Sequence, residues 1–368
     1  ADLLRQNEAA RAVFLPNDEV PGEGEIHRQP ALAETLAKVA AGGRKAFYEG
    51  EVAEAMADTL RKAGGCHTPA DFAAVRGDYV TPVSTDYRGV RVHQIPPNNQ
   101  GLTALVMLNI LEGFDLPEMA PLSAARTHLE IEAGRLAFAA RNQAIADPAS
   151  MGATLEQLLS KDWAADLRRS IRPDRRMTGL PDLGLRKSDT VYLCVVDRDL
   201  NAVSFINSVY HSFGSTILCP RTGVVFQNRG CSFRLDPGHP NCIGPSKRPL
   251  HTIMPGMVTR GGRALMPYGV MGGDYQPFGH VRFLTNVFDY GLDVQAALDM
   301  PRAFAGETWI ELEKSFPAET MRGLSAIGHE IRIAPEPLGG GQAILLDHDR
   351  GILSGGSDHR KDGCALGY

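Results

Sequence analysis

Thr190 stands directly before an apolar run, Val191-Tyr192-Leu193-Cys194-Val195-Val196, and directly after Ser188-Asp189. A threonine in that place gains a reactive form if the bond before it is cut. The released α-amino group has an ordinary pKa of roughly 7.7 to 8.0, lies beside its own hydroxyl and can take the hydroxyl proton as general base. Nucleophile and base are then one residue. Without the cut, the same threonine is an ordinary strand opener. A second feature is Val270-Met271-Gly272-Gly273. Adjacent glycines after a strand let backbone N–H groups converge on one point without side-chain obstruction. As a bare pattern they equally suit a tight turn.

The elements that would position these residues follow from periodicity. Residues 31–63 read as helices: Leu32, Leu36 and Val39 share one face, Gly42-Gly43 interrupts, and Val52, Met56 and Leu60 continue until Gly64-Gly65. Thr68-Pro69-Ala70-Asp71 is a helix start with a threonine cap and proline at the first helical position. From Tyr79 the period becomes two, giving a hairpin around Tyr87-Arg88-Gly89, and Pro96 to Gly101 then turns into a helix carrying Leu102, Leu105, Leu108 and Leu111. Residues 122–142 form a long helix, and Met151 to Ile171 suggests another. The segment 172–189 is basic, aperiodic and proline-bearing, and is expected to be exposed and mobile. After Thr190 the expected order is a hairpin turning at 198–201 and a strand pair near Ile217 and Val224. A strand pair turning at Gly261-Gly262 follows, then helices at 279–289 and 293–300.

The chain has 368 residues, 43% hydrophobic and 22% charged, enough to bury a sizeable core. Its formal charge of −5 and the lack of a basic tract argue against nucleic acid, and its apolar runs are too short to cross a bilayer. A small-molecule partner fits better. Six cysteines are scattered without CxxC pairs or zinc-ligand spacing, so neither a disulfide framework nor a metal site is indicated. Cys194 reads as a packed thiol. No charged-then-apolar leader is present, so the cytoplasm is the expected compartment. Ala1 stands in a helical segment without an initiator methionine, so more chain is expected to have preceded it; a leader removed with it would place the protein in the periplasm or outside the cell.

With these residues in view the chain resembles the γ-glutamyltransferase family. The resemblance is carried by Ala46-Phe47-Tyr48-Glu49-Gly50, Asp189-Thr190 with Val195-Val196-Asp197, Asn201-Ala202-Val203, Phe213-Gly214 and Gly244-Pro245-Ser246-Lys247-Arg248-Pro249-Leu250. Met271-Gly272-Gly273 and Asp289-Tyr290-Gly291-Leu292 complete it. The resemblance implies an α+β fold, the αββα four-layer sandwich of N-terminal-nucleophile hydrolases, with a helix-rich amino-terminal half. It implies self-cleavage between Asp189 and Thr190 into a large-subunit part, 1–189, and a small subunit, 190–368, together forming one αββα domain. The family's amino-terminal section, with its arginine for the substrate carboxylate, has no counterpart in these residues.

Carried over by position, the family's roles make Thr190 the nucleophile. Ser208 becomes the hydroxyl residue hydrogen-bonded to the nucleophile's amine, or else a core hydroxyl, and Gly272 and Gly273 become the oxyanion-hole glycines. No metal or organic cofactor is required. The departures bear on substrate. Where glutamyl-binding members hold an α-amino group with an Asn-Gln-x-x-Asp-Phe segment, this chain has Asn228-Arg229-Gly230-Cys231-Ser232-Phe233, and the paired serines that meet the glutamyl carboxylate are replaced by His251-Thr252. An ammonium set against Arg229 without an acid partner is unfavourable.

Gln227-Asn228-Arg229, Leu235-Asp236-Pro237-Gly238-His239-Pro240-Asn241, Met271-Gly272-Gly273-Asp274 and Gly355-Gly356-Ser357-Asp358 with Lys361-Asp362-Gly363-Cys364 are similar to a branch that includes oxamate amidohydrolase and acylase-like members. The reading is therefore an amidohydrolase acting on a small carboxylate-bearing amide, with Arg229, Ser232, His251 and Thr252 as substrate-binding candidates. Arg229 could equally be a surface or ion-pair residue. The alternatives are γ-glutamyl transfer or glutathione hydrolysis, acylase action on a larger dicarboxylic amide, and an uncut, inactive binding protein. Large and small subunits from one precursor are expected, with a homodimer of such units possible.

Overall fold

The computed structural model describes residues 1–179, 190–306 and 308–368. They group into two compact units, one of residues 1–79 with 209–229 and one of residues 80–208 with 230–368. Each unit therefore takes chain from both sides of Thr190.

The smaller unit is helical: α1 (Asp2–Arg5), α2 (Glu8–Phe14), α3 (Pro30–Tyr48), α4 (Gly50–Lys62) and α5 (Pro69–Ala74). The glycine interruption expected near residue 43 is a kink within α3, where Gly43 has φ 59°. α4 buries Val52, Ala55 and Met56, the stripe that its period marks. α5 starts at Pro69 after Thr68 as expected, and the closing bond is made by Asp71, whose Oδ2 accepts from the Thr68 N–H at 2.7 Å and from the Thr68 hydroxyl at 2.8 Å. The strand pair expected near Ile217 and Val224 is reduced to one isolated bridge, Leu218 to Val225. The intervening chain is consumed by a turn in which the Thr222 and Gly223 N–H groups both reach the Cys219 carbonyl, at 3.2 and 2.8 Å. This turn is held in its unit by Thr35 Oγ1, which donates to the Thr222 carbonyl at 2.8 Å.

The larger unit is built on a six-stranded antiparallel sheet in the order β1-β2-β5-β6-β10-β11. Its strands are β1 (Val83–Tyr87), β2 (Val90–Gln94), β5 (Gly256–Arg260), β6 (Arg263–Met271), β10 (Gly340–Asp347) and β11 (Ile352–Ser357). The helices α6 (Gly101–Leu111), α7 (Ala124–Ala144), α10 (Gln276–Phe288) and α11 (Val294–Asp299) share its core. α6 is apolar but for Thr103 and Asn109 and is buried along its whole length, as suits an interior helix. The single helix expected over 151–171 is two short ones, α8 (Leu155–Leu159) and α9 (Lys161–Arg168), because Ser160 accepts from the Trp163 N–H and starts a new helix. A small sheet of β7 (Ala303–Ala305), β8 (Trp309–Leu312) and β9 (Glu330–Ile333), with α12 (Ala318–Ala326), completes the unit.

Thr190 leads into the hairpin of β3 (Val191–Val196) and β4 (Ala202–Asn207). Its placement follows from the alternation of side chains along β6. Val270 meets α10 at Gly279, where an added Cβ would lie 2.6 Å from the valine. Gly269 and Met271 point the other way, towards the hairpin: a Cβ on Gly269 would be 2.3 Å from the Tyr192 ring, and Tyr192, Ile206 and Met271 form one buried cluster. Helices, six-stranded sheet and hairpin thus stack in that order, an α+β arrangement. The opposite face of the hairpin, with Val191, Leu193, Val195, Val203 and Phe205, is exposed, so β3 is half-buried rather than buried throughout. Among the described residues no helix is long and apolar enough to cross a membrane.

Candidate active site

Thr190 is 6% exposed although the strand it opens is half open to solvent. The register explains its neighbour: Val191 pairs with Asn207, so one step outward Thr190 comes opposite Ser208. Asp189 lies outside the described residues, as does the rest of 180–189. Tyr192 anchors the hairpin, its hydroxyl 2.8 Å from Ser204 Oγ, which in turn donates to the Tyr268 carbonyl of β6 at 3.3 Å. Burial pushes the Cys194 thiol up to about 12, so this cysteine is a packed thiol.

β6 ends at Met271 and hands the chain to Gly272, with φ 129°, and Gly273, with φ 62°. Both conformations favour glycine. At Gly272 a Cβ would also come 3.1 Å from the Cα of Gly339. The Gly272 carbonyl accepts from the Tyr275 N–H at 3.1 Å. Because a trans peptide points its C=O and N–H in opposite directions, the Gly273 N–H faces away from that turn.

Arg229 and Ser232 bound a single 3₁₀ turn, and His251 sits in an isolated bridge to Asn99 just before Thr252; backbone bonds and side-chain amides together hold these stretches. Asn241 Nδ2 donates to the Ser232 carbonyl at 2.8 Å and Asn241 Oδ1 accepts from the Leu250 N–H at 3.0 Å, tying the Ser232 stretch to the stretch before His251. Ser232 Oγ is buried and makes no hydrogen bond among the described residues. The His251 N–H donates to the Asn98 carbonyl and its carbonyl accepts from the Gln100 N–H, both at 2.9 Å, while Asn99 Nδ2 donates to the Ile253 carbonyl. Arg229 belongs to the smaller unit; it is 5% exposed and its guanidinium lies 4.3 Å from the Tyr210 ring centroid. It is therefore not a surface residue.

The family model described as gamma-glutamyltranspeptidase matches residues 1–368. The chain belongs to the gamma-glutamyltranspeptidase family. Within it, the chain is 38% identical to a glutathione hydrolase-like YwrD proenzyme of Bacillus subtilis, covering 100% of this chain and 71% of that one. It is 35% identical to an oxamate amidohydrolase proenzyme of Klebsiella pneumoniae, covering 99% and 70%. Among solved structures, a cephalosporin acylase from Bacillus halodurans superposes with a TM-score of 0.91 at 38% identity, over 100% of this chain and 68% of that one. The family membership makes the chain a hydrolase with the α+β fold of these relatives.

One further cluster has the chemistry of a metal centre. Ligand atoms of His128, Glu132 and His329 lie within 4.8 Å of one another and are buried. Hydrogen bonds already engage them. His128 Nε2 faces the Arg172 carbonyl at 2.7 Å, so that nitrogen carries its proton, and His128 Nδ1 accepts from His329 Nε2 at 2.8 Å. The Glu132 oxygens accept from Arg135 Nη1 at 2.6 Å and the Met177 N–H at 2.7 Å. The cluster fastens the stretch 172–177, whose first four residues are exposed as expected and whose Arg176 and Met177 are half-buried. The sequence assigns no role in the site to Asn241, Gln100 or the buried Arg141–Asp274 ion pair, although Asn241 and Asp274 stand in the stretches that carry the branch resemblance. The signals available were the three consecutive amides Asn98-Asn99-Gln100 before a helix and an aspartate directly after the glycine pair.

Proposed function

We propose that this chain is an N-terminal-nucleophile amidohydrolase that cuts itself between Asp189 and Thr190 and then hydrolyses a small amide bearing a carboxylate. Thr190 Oγ1 attacks the amide carbonyl carbon, and its freed α-amine takes the hydroxyl proton and delivers it to the leaving nitrogen. The Gly272 and Gly273 N–H groups hold the oxyanion, with Ser208 orienting the amine. Water, deprotonated by the same amine, releases the acid and restores Thr190. The carrying observation is the packing of the Thr190 hairpin on β6, the strand whose end presents the glycine pair.

Substrate class rests on residue type. Arg229 stands where glutamyl-binding members place a neutral amide and Ser232 where they place an acid, residue types that favour an anionic group and disfavour an α-ammonium; within the larger unit, His251 and Thr252 are assigned to a substrate carboxylate. A second reading, glutathione hydrolysis, is supported by the name of the YwrD relative. The processed protein is assayed on oxamate, a γ-glutamyl anilide and a glutaryl amide. Oxamate is expected to give the highest kcat/KM. Arg229→Gln with Ser232→Asp should shift the balance towards the γ-glutamyl compound, since a charge-assisted contact is worth roughly 1.5 to 3 kcal/mol. Faster turnover of the γ-glutamyl compound by the unsubstituted protein overturns the substrate assignment.

A further inference from the structure

Gln100 joins the two halves of the candidate site within the larger unit. It precedes α6, is fully buried, and its backbone N–H already meets the His251 carbonyl. Its side chain makes three more bonds. Gln100 Nε2 donates to the Thr252 carbonyl at 2.7 Å and to the Gly273 carbonyl at 2.9 Å. Gln100 Oε1 accepts from Arg141 Nη1 at 2.8 Å. The same Arg141 nitrogen meets Asp274 Oδ1 at 2.6 Å, and both charged residues are buried.

The orientation of this amide is forced. An arginine has only donors and a backbone carbonyl only accepts, so the oxygen must face Arg141 and the NH2 must face the two carbonyls. The two carbonyls belong to Thr252, beside the stretch assigned to the substrate carboxylate, and to Gly273, in the turn assigned to the oxyanion. Arg141 comes from the last turn of α7 and Asp274 follows Gly273 directly, so the ion pair fixes the far side of the same turn. A peptide with glycines at φ 129° and 62° has little conformational restraint of its own; the restraint comes from these side chains.

We propose that Gln100 is a positioning residue that sets the Gly272-Gly273 turn relative to the His251-Thr252 stretch, with Arg141 and Asp274 fixing its amide. The proposal rests on the reading of those two stretches as oxyanion and carboxylate sites. Gln100→Glu turns an acceptor towards both carbonyls at almost unchanged volume, and Gln100→Met removes the donor. Misplacement of reacting groups by about 1 Å can cost on the order of 100-fold, so kcat per processed chain is expected to fall about 10- to 100-fold in either variant. Arg141→Met should fall likewise, and Arg141→Lys, which keeps a cation for Gln100 and Asp274, should recover much of that loss.

Turnover is measured on oxamate and on a γ-glutamyl anilide, with the thermal midpoint and extent of self-cleavage recorded for each variant. The unsubstituted protein's preference between the two compounds decides the proposed substrate. The ratio of variant to unsubstituted kcat on whichever compound is turned over decides the role of Gln100. A kcat within about twofold in both Gln100 variants overturns the proposal, as does a loss that Lys fails to recover at position 141 despite a native thermal midpoint. Absence of turnover on either compound by the unsubstituted protein overturns it together with the reading on which it rests.

Discussion

The Thr190 corner and the recognition stretch over 232–252 lie in the same unit but are positioned by different means. At the corner, Thr190 is placed by strand register, one step beyond Val191 and opposite Ser208, while Gly272, one step beyond Met271, begins a turn that the Gln100 side chain holds. Over 232–252, Ser232 closes a single 3₁₀ turn and His251 sits in an isolated bridge, met by backbone groups of Asn98 and Gln100, while the side chains of Asn99, Gln100 and Asn241 meet the carbonyls of Ile253, Thr252 and Ser232. A ladder of backbone bonds tolerates side-chain change, whereas one substituted amide releases a loop. Placement of Thr190 should therefore resist side-chain change, whereas the Gly272-Gly273 turn and the recognition stretch, both tied to Gln100, should depend on single side chains.

Paired substitutions break that comparison if it is wrong. Gly272→Ala places a Cβ on a backbone with φ 129°, 3.1 Å from Gly339 Cα, a strain of roughly 1 to 3 kcal/mol. Displacing an oxyanion donor costs about 100- to 1000-fold, so kcat should fall by that order with KM little changed. Asn241→Ala removes the tie between Ser232 and Leu250 and leaves two half-buried backbone groups without it, a cost of about 1 kcal/mol. It should raise KM several-fold and leave kcat within about twofold. Steady-state kinetics on one amide distinguish the two patterns, and an equal effect of both variants on kcat would erase the distinction.

A smaller effect concerns the frame behind the corner. His280 Nε2 accepts from the Val270 N–H at 3.1 Å, and burial lowers its pKa to about 3. His329 is also lowered to about 3, by burial and then by Arg135, His128 and Arg176. Between pH 6.5 and 3 the unfolded chain takes up protons that these folded histidines refuse. Their contribution is therefore complete above about pH 6.5 and is lost as the pH falls, by at most about 1.4 kcal/mol per pH unit for each. Urea midpoints measured from pH 7.5 to 5 should decline, and less steeply in His280→Gln; equal slopes would remove His280 from the account.

The elements that carry the corner are legible in sequence because their signals are local. The β3–β4 hairpin shows an apolar run and a polar turn at Arg198 to Asn201, and the β5–β6 pair is marked by Gly261-Gly262. The helix expected over 151–171 fails at Ser160, since a serine that caps a new helix looks the same in sequence as one inside a helix. The ties that hold the glycine turn and the recognition stretch are illegible for a different reason. Gln100 meets Gly273, and Arg141 meets Asp274, across more than 130 residues of chain, and nothing local to a glutamine or arginine specifies such a partner. Burial of Arg229 against Tyr210 is likewise a tertiary fact, which residue type left open.

The central claim is that Thr190 becomes an amino-terminal nucleophile. Amino-terminal sequencing and intact mass of the purified protein, alongside Thr190→Ala, test it most directly. The account predicts a smaller fragment beginning Thr190-Val191-Tyr192, and a single uncut, folded and inactive chain for Thr190→Ala. A fragment with any other start, or full amide hydrolysis by the uncut Thr190→Ala chain, would contradict it.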